Sequence, residues 1–343
     1  MNADLQSRLE KILSEPVKST TAVSGGCIAD SRKLELNSGK LFFLKLARRG
    51  NSDMFDSEAQ GLEEILSEPV KSKITVSGGC IADSYKLVLN SGKIFFLKLA
   101  QGSNSGIINS EAQGLEELRK VAAINVPKIV SKDTDFLLLE WIEEGNDSTE
   151  SSMEKLGSQF AELHRFHGDR FGFQQDNFIG NTLQKNIPST MGSDNWATFY
   201  AENRIKFQAE LAEKNGYATP EILTLLERLI MKIPELLSDT EEKPSLLHGD
   251  LWSGNYLIDV AGNPWLIDPA VYYGHREADL AMTSLFGGFS DTFYSAYKSA
   301  FPLVPDYAER EPLYQLYHLM NHLNLFGKAY YGQVLSVLKR YAF

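Results

Sequence analysis

The amino-acid sequence predicts an α+β protein with two lobes, a small antiparallel sheet followed by a mostly helical body. Three observations predict it. Short apolar runs separated by glycine- and asparagine-bearing turns fill much of the chain up to Ile142. The polar stretch Glu143-Glu-Gly-Asn-Asp-Ser-Thr149 then reads as a linker. From Ser152 onward the apolar residues recur at helical spacing. A chain of 343 residues can bury one large core or two unequal ones.

Composition excludes several classes of function. The chain is 43% hydrophobic and 23% charged, as globular proteins are, and unlike a disordered one. Its formal net charge of −11 leaves no basic stripe for nucleic acid. No apolar run approaches the roughly 20 residues of a membrane helix, and Met1-Asn-Ala-Asp-Leu-Gln-Ser-Arg8 lacks the order of a signal peptide. The two cysteines, Cys27 and Cys80, are too few for a disulfide framework, so a reducing cytoplasm is expected.

The first elements come as a tandem repeat. Residues 9–61 and 62–114 are identical at about three-quarters of aligned positions. Ser24-Gly-Gly-Cys-Ile-Ala-Asp-Ser31 returns as Ser77-Gly-Gly-Cys-Ile-Ala-Asp-Ser84, and Phe42-Phe-Leu-Lys-Leu-Ala47 as Phe95-Phe-Leu-Lys-Leu-Ala100. Two copies are too few for a solenoid. In the second copy Ile74-Thr-Val76 precedes the Gly78-Gly79 turn. Tyr85-Lys-Leu-Val-Leu89 and Ile94-Phe-Phe-Leu-Lys-Leu99 flank the hairpin signal Asn90-Ser-Gly92. A helix is expected from Ser110, a good N-cap, and a buried strand at Phe136-Leu-Leu-Leu-Glu-Trp-Ile142. Copy one carries Arg32 and Glu35 where copy two has Tyr85 and Val88, charges that suit a solvated strand. Copy two, contiguous with the rest, is therefore expected to build the working lobe. The expected division is 1–61 as an extra copy, 62–143 as the sheet lobe and 144–343 as the helical lobe. Helices are expected over 153–167, 196–214, 220–237, 278–286, 291–300 and 310–340.

One constellation carries chemistry. His248-Gly-Asp-Leu-Trp-Ser-Gly-Asn255 places Asp250 and Asn255 at the spacing of the H-R-D-x-x-x-x-N loop of protein kinases. Tyr256-Leu-Ile-Asp-Val260 and Pro264-Trp-Leu-Ile267 flank Ala261-Gly262-Asn263, a hairpin signal that returns Asp268 beside Asn255. Asn255 and Asp268 can then share Mg²⁺, and Asp250 can accept a proton from an alcohol. Lys98, in an otherwise apolar strand, needs a partner, and Glu111 supplies the strand-lysine and helix-glutamate pair that orders ATP phosphates. Gly78 and Gly79 can approach phosphates through backbone amides, or form an ordinary turn. His248 reads as a support of the loop, and Asp279, near a helix start, as an anchor for its backbone. His318 and His322 are spaced for a metal, but no third ligand is evident and the apolar surroundings favour a structural role. Cys80 is a candidate redox-sensitive thiol, or a small buried residue.

With these motifs assembled, the chain resembles the fructosamine kinase (ketosamine-3-kinase) family, a branch of the aminoglycoside-phosphotransferase-like, protein-kinase-like folds. The resemblance rests on the Gly78, Lys98 and Glu111 segments, on Asp176-Asn-Phe-Ile-Gly-Asn-Thr-Leu-Gln184, and on the 248–255 loop. It extends through Ile267-Asp-Pro-Ala-Val-Tyr-Tyr-Gly-His-Arg-Glu-Ala-Asp279 and Tyr317-His-Leu-Met-Asn-His-Leu-Asn-Leu-Phe-Gly327. It implies a bilobal protein-kinase-like fold and ATP- and Mg²⁺-dependent phosphorylation of the 3-hydroxyl of a ketosamine, after which the adduct falls apart and frees the amine. By the same likeness Asp250 is the base, Asn255 and Asp268 hold Mg²⁺, and Lys98 and Glu111 order the phosphates. Glu140 to Ile142 form the adenine hinge, and Asp176, Asn177, Gln184 and Trp252 border the substrate. The Gly-Gly-Cys thiol is associated in the family with redox sensitivity. The implied partners are ATP and a glycated amine or protein, with neither nucleic acid nor membrane. The implied assembly is a monomer or dimer, with strand exchange or a disulfide link as options. Leu183, where many members have proline, and the repeated segment depart from the family pattern. The alternatives are a kinase of another small alcohol, such as an aminoglycoside or choline, and a pseudokinase. An aminoglycoside site should show a carboxylate-rich C-terminal tail, whereas residues 328–343 contain no Asp or Glu. A pseudokinase needs damaged catalytic residues, and none is damaged.

Overall fold

Both repeat copies fold their apolar runs into antiparallel three-strand meanders with the same register. In this computed structural model the described residues are 17–22, 30–36, 41–46, 66, 68, 70–76, 83–99, 105–134, 136–145, 149–188 and 195–342, the first three segments as backbone alone. Copy one gives β1 (Val17–Ala22), β2 (Asp30–Leu36) and β3 (Leu41–Leu46). Copy two gives β4 (Val70–Thr75), β5 (Asp83–Leu89) and β6 (Ile94–Leu99). Val17 pairs with Leu36 and, after an irregularity, Ser19 with Glu35; Val70 pairs with Leu89 and, after the same irregularity, Ser72 with Val88. Near-identical sequence thus reproduces even the bulge, as expected where local pattern sets register.

The two sheets differ in what they join. β1–β3 form a sheet of three strands, whereas copy two enters a sheet of five in the order β4-β5-β6-β8-β7, with β7 at Ile129–Lys132 and β8 at Phe136–Glu140. In β8, Leu137, Leu138 and Leu139 are all buried, as the continuous apolar run requires of an interior strand. Tyr85 of β5 is buried under the Lys73 ammonium, 4.0 Å from its ring centre. Both residues are specific to copy two, since copy one has Thr20 and Arg32 there.

The helix expected from Ser110 begins five residues earlier, as α1 (Ser105–Val121), and Ser110 lies inside it, buried. Ile108 explains the extension, because it falls on one face with Ala112 and Leu115 and is buried with them. The chain divides into two compact units, residues 1–112 with 127–142, and residues 113–126 with 143–343.

The second unit is mostly helical. α2 (Glu150–His164) is capped by the Thr149 hydroxyl, which accepts from the Ser152 amide. A hairpin of β9 (Asn177–Ile179) and β10 (Thr182–Gln184) follows. The single helix expected over 196–214 is interrupted: α3 (Trp196–Phe199) and α4 (Phe207–Lys214) flank a π-helical stretch, Tyr200–Lys206. There the adjacent side chains of Asn203 and Arg204 both reach backbone carbonyls in the 185–187 segment. α5 (Pro220–Leu236) starts on Thr219 and proline, as N-terminal preferences dictate. Four short strands, β11 (Ser245–Leu247), β12 (Tyr256–Ile258), β13 (Pro264–Leu266) and β14 (Tyr272–Gly274), pair as β11 with β14 and β12 with β13. The helices α6 (Arg276–Leu285), α7 (Asp291–Ala300), α8 (Tyr307–Phe326) and α9 (Tyr331–Tyr341) complete the unit. The expected helix over 310–340 is two helices because Gly327, at φ +81°, ends the first.

Because β8 takes its place beside copy two alone, deletion of residues 9–61 is expected to leave the five-stranded sheet and the helical unit intact. The deletion fuses Arg8 to Leu62, the counterpart of Leu9. Thermal unfolding should remain cooperative, with a midpoint within about 3 °C of the full chain, a shift below ~1 kcal/mol. Loss of cooperative unfolding would show copy one to be part of the fold.

Candidate active site

The loop between β11 and β12 is fixed from three sides. The backbone amides of His248 and Gly249 both donate to the Asp279 carboxylate, at 2.6 and 2.8 Å. Asp279 sits in the first turn of α6, where the helix dipole favours a negative charge. Gly249 has φ +84°, and a Cβ there would stand 2.1 Å from the Ala270 carbonyl oxygen, so no other residue fits without displacing that segment. Ala270 in turn donates its amide to the His248 carbonyl at 2.9 Å.

Two buried histidines complete the frame. Burial holds the His248 imidazole below its ordinary pKa, hence neutral, and both ring nitrogens are used. Nε2–H donates to the Ile267 carbonyl at 2.9 Å, and Nδ1 accepts from the Asp250 amide at 3.3 Å. His164 of α2 is likewise kept neutral by burial, against the pull of Asp279. Its Nε2 donates to the Asp279 carboxylate at 3.2 Å, and its Nδ1 accepts from the Tyr297 hydroxyl at 2.7 Å, the tautomer an acceptor-only carboxylate demands.

Asp250, Asn255 and Asp268 are brought together as the hairpin pattern implied. Asn255 donates through Nδ2 to the Asp250 carbonyl at 2.7 Å and lies 3.4 Å from its carboxylate. At the open end of the β12–β13 hairpin Ile267 donates its amide to the Asn255 carbonyl, which sets Asp268 next in line. Asp268 holds φ +55°, a left-handed conformation that aspartate tolerates better than most residues. The turn of the hairpin is tied by Asp259, which accepts from the amides of Ala261 and Asn263 and from the Trp265 indole. Burial, then the negative charges of Asp268 and Asp279, push the Asp250 carboxyl well above its usual range, against the Asn255 amide. Such a concentration of carboxylate charge fits a divalent cation. Asn255 spends its amide N–H₂ on Asp250, which leaves its oxygen for a hard ion together with the Asp268 oxygens. Among the described residues no three His, Cys, Asp or Glu side chains converge as a protein-only metal site. Mg²⁺ needs none, since it keeps waters and takes phosphate oxygens.

In the sheet unit, Lys98 on β6 and Glu111 on α1 form a bidentate pair, Nζ lying 2.8 and 2.9 Å from the two carboxylate oxygens, with side chains 6% and 11% exposed. Glu140 accepts the Lys128 amide at 2.7 Å through its side chain, and Ile142 ends the sheet unit. Gly78, Gly79, Cys80 and Cys27 lie outside the described residues.

The residues expected around the substrate divide into two kinds. Trp252 is 39% exposed and its ring covers Gly254. Burial pushes the Asp176 carboxyl up, but the amides of Asn186 and Ile187 and the Lys185 ammonium outweigh it and hold the group below its usual range. Asn177 and Gln184 are buried at 3% and 1% exposure, with their amides engaged by other protein groups. His318 is pushed down to about 3 by burial, and His322 bonds the His318 carbonyl through Nδ1, so the pair serves the packing of α8. Four polar residues of this region escape sequence reasoning: His164, Asn186, Arg204 and Tyr317. Only Tyr317 lies in a recognised motif, and spacing gives no sign of its role.

The model of the family described as fructosamine kinase matches residues 66–342, and its match to residues 1–73 covers copy one. The chain belongs to the fructosamine kinase family. A probable ketoamine kinase of Synechocystis sp. is 41% identical over 289 residues, 82% of this chain and 95% of that protein. The chloroplastic protein-ribulosamine 3-kinase of Arabidopsis thaliana is 36% identical, over 81% of this chain and 86% of its own length. A crystal structure of a putative fructosamine-3-kinase from Thermobifida fusca superposes with a TM-score of 0.75 at 32% identity, over 83% of this chain and 98% of that one. With the family, the chain takes the bilobal protein-kinase-like fold and is an enzyme, a phosphotransferase.

Asp279 is the test of how this chain holds its loop. Asp279→Ala removes the acceptor of two buried amides and is expected to cost about 3 kcal/mol of stability. Denaturant unfolding measures it, and a cost under about 1 kcal/mol would show that the loop amides find other partners.

Proposed function

We propose that this chain transfers the γ-phosphoryl group of ATP to the 3-hydroxyl of a ketosamine, the sugar–amine adduct left by glycation. The carrying observation is the single loop-and-hairpin unit that sets Asp250 beside Asn255 and Asp268, in a chain of this family. Asp250 accepts the hydroxyl proton while the sugar oxygen bonds to phosphorus and the bond from phosphorus to the ADP oxygen breaks. Asn255 and Asp268 hold Mg²⁺, which when bound neutralises charge on the phosphates. Lys98, fixed by Glu111, binds the α- and β-phosphates, and Gly78 and Gly79 approach them through backbone amides. Glu140 to Ile142 receive adenine by backbone contact. Trp252 and Asp176 border the sugar. His248 and Asp279 keep the Asp250 backbone in place. The phosphorylated adduct then decomposes and frees the amine. A cytoplasmic setting, where glycated amines and ATP meet, suits this chemistry.

Asp250→Asn is expected to lower kcat by about 10³-fold or more on fructosamine, ribulosamine or erythrulosamine adducts while ATP binding persists. Retention of wild-type turnover would show that another group takes the proton. Lys98→Met should remove activity and Lys45→Met should leave it within about twofold, because Lys98 is the copy that meets Glu111. The same ATP-consumption assay reads both, and equal partial losses would mean that the copies exchange.

A further inference from the structure

Beneath the catalytic loop lies a polar network whose members are too buried to meet a substrate. Gln184, at the end of β10, donates through Nε2 to the Ala270 carbonyl at 2.8 Å and to Asn177 Oδ1 at 2.9 Å. Its Oε1 accepts from the Tyr317 hydroxyl of α8 at 2.8 Å. Asn177, on β9, donates through Nδ2 to the Val271 carbonyl at 2.7 Å. Asn186 completes the set, donating to Asn177 Oδ1 at 2.7 Å and accepting from Arg204 of the π-helical stretch at 2.8 Å. Every one of these five side chains is 3% exposed or less.

The amide orientations are fixed by this pattern. Asn177 Oδ1 receives two donors and its Nδ2 faces a carbonyl, while Gln184 presents its oxygen to a hydroxyl and its nitrogen to two acceptors. Reversing Asn177 would set donor against donor, and reversing Gln184 would set its oxygen against the Ala270 carbonyl and Asn177 Oδ1. A hairpin that merely filled space could be apolar. This one grips two successive carbonyls, Ala270 and Val271, in the segment directly after Asp268. The same Ala270 bonds the His248 carbonyl through its amide, and its own oxygen stands where a Gly249 side chain would be. One residue therefore touches both the hairpin network and the catalytic loop.

We infer that Gln184, backed by Tyr317 and Asn177, is a positioning residue that fixes the 268–271 segment, and through it the cation-holding Asp268 against the Asp250 loop. The inference rests on the kinase reading of the site and replaces a substrate-contacting role for Gln184 and Asn177. Loss of the network should loosen Asp268 and leave the sugar contacts alone. It predicts weaker Mg²⁺ binding, read as a higher Mg²⁺ requirement, before it predicts weaker ketosamine binding.

The test is Gln184→Met, which keeps the length of the side chain and deletes its hydrogen bonds, with Tyr317→Phe as a milder partner. Three quantities are read: kcat and the Mg²⁺ concentration at half-maximal rate, KM for an N-substituted fructosamine, and hydrogen exchange of the Ala270 amide in the Mg²⁺–ADP form. For Gln184→Met we expect kcat lower by about tenfold or more, a several-fold higher Mg²⁺ requirement, KM for the sugar within about twofold, and faster exchange at Ala270. A raised fructosamine KM with unchanged Mg²⁺ dependence would make Gln184 a substrate contact and overturn the inference. No change in any quantity would overturn it equally. If Gln184→Met does not fold, Tyr317→Phe decides, since faster Ala270 exchange with a higher Mg²⁺ requirement supports the network and wild-type values refute it. If the wild-type chain phosphorylates no ketosamine, the functional reading fails, while exchange at Ala270 and Mg²⁺–ADP affinity still judge the network.

Discussion

The Asp279 carboxylate is the fixed point of the helical unit. Buried at the start of α6, it takes the amides of His248 and Gly249 and the imidazole of His164. A carboxylate sealed from water costs several kcal/mol unless its lone pairs are met, and here three donors and a helix N-terminus meet them. The debt runs both ways. Two loop amides, buried as they are, need acceptors, and the two oxygens of the carboxylate supply one to each. Loop, helix and α2 are therefore determined together, with Tyr297 closing the chain behind His164.

From that point the chemistry is laid out by short-range covalent geometry. Asp250 is one residue beyond Gly249, and Asn255 closes the loop on the Asp250 carbonyl. The β12–β13 hairpin, tied at its turn by Asp259, returns the chain beside Asn255. These steps are local, which is why Asp250, Asn255 and Asp268 can be read from spacing alone. The Lys98–Glu111 pair is legible for a related reason, because a lysine in an apolar strand demands a partner and the following helix offers a carboxylate.

What the sequence hides is burial of polar groups at long range. Asn177 and Gln184 stand in a polar hairpin that reads as a surface rim, yet they are core residues, because their partners Val271, Ala270 and Tyr317 come from later parts of the chain. Arg204 is hidden for the same reason, its guanidinium lying 4.0 Å from the Tyr272 ring centre and bonded to a side chain and carbonyls rather than to a carboxylate. Element boundaries fail more gently. The early start of α1 is visible in Ile108 once the periodicity is extended upstream. The interruption of the 196–214 helix has no local signal, since tertiary contacts of Asn203 and Arg204 accompany it.

The repeat poses a selection problem that side chains solve better than connectivity. Every β6 residue paired with β8, Phe95 to Leu99, is identical to its counterpart in β3, so the β8 edge itself cannot distinguish the copies. Chain entropy barely helps. Pairing β8 with β3 would close a loop about two and a half times as long, a difference of only about 0.8 kcal/mol. The discriminating positions lie on the two strands beyond β6. Tyr85 fills a site 1% exposed and is covered by Lys73, and full burial of such a ring contributes about 2–3 kcal/mol. Copy one would bring Arg32 to that site and Thr20 above it. An arginine there must either carry its charge into the sheet packing or turn out and leave a void, and either outcome costs more than the loop entropy. Two substitutions outside the paired strand thus favour the second copy in the five-stranded sheet.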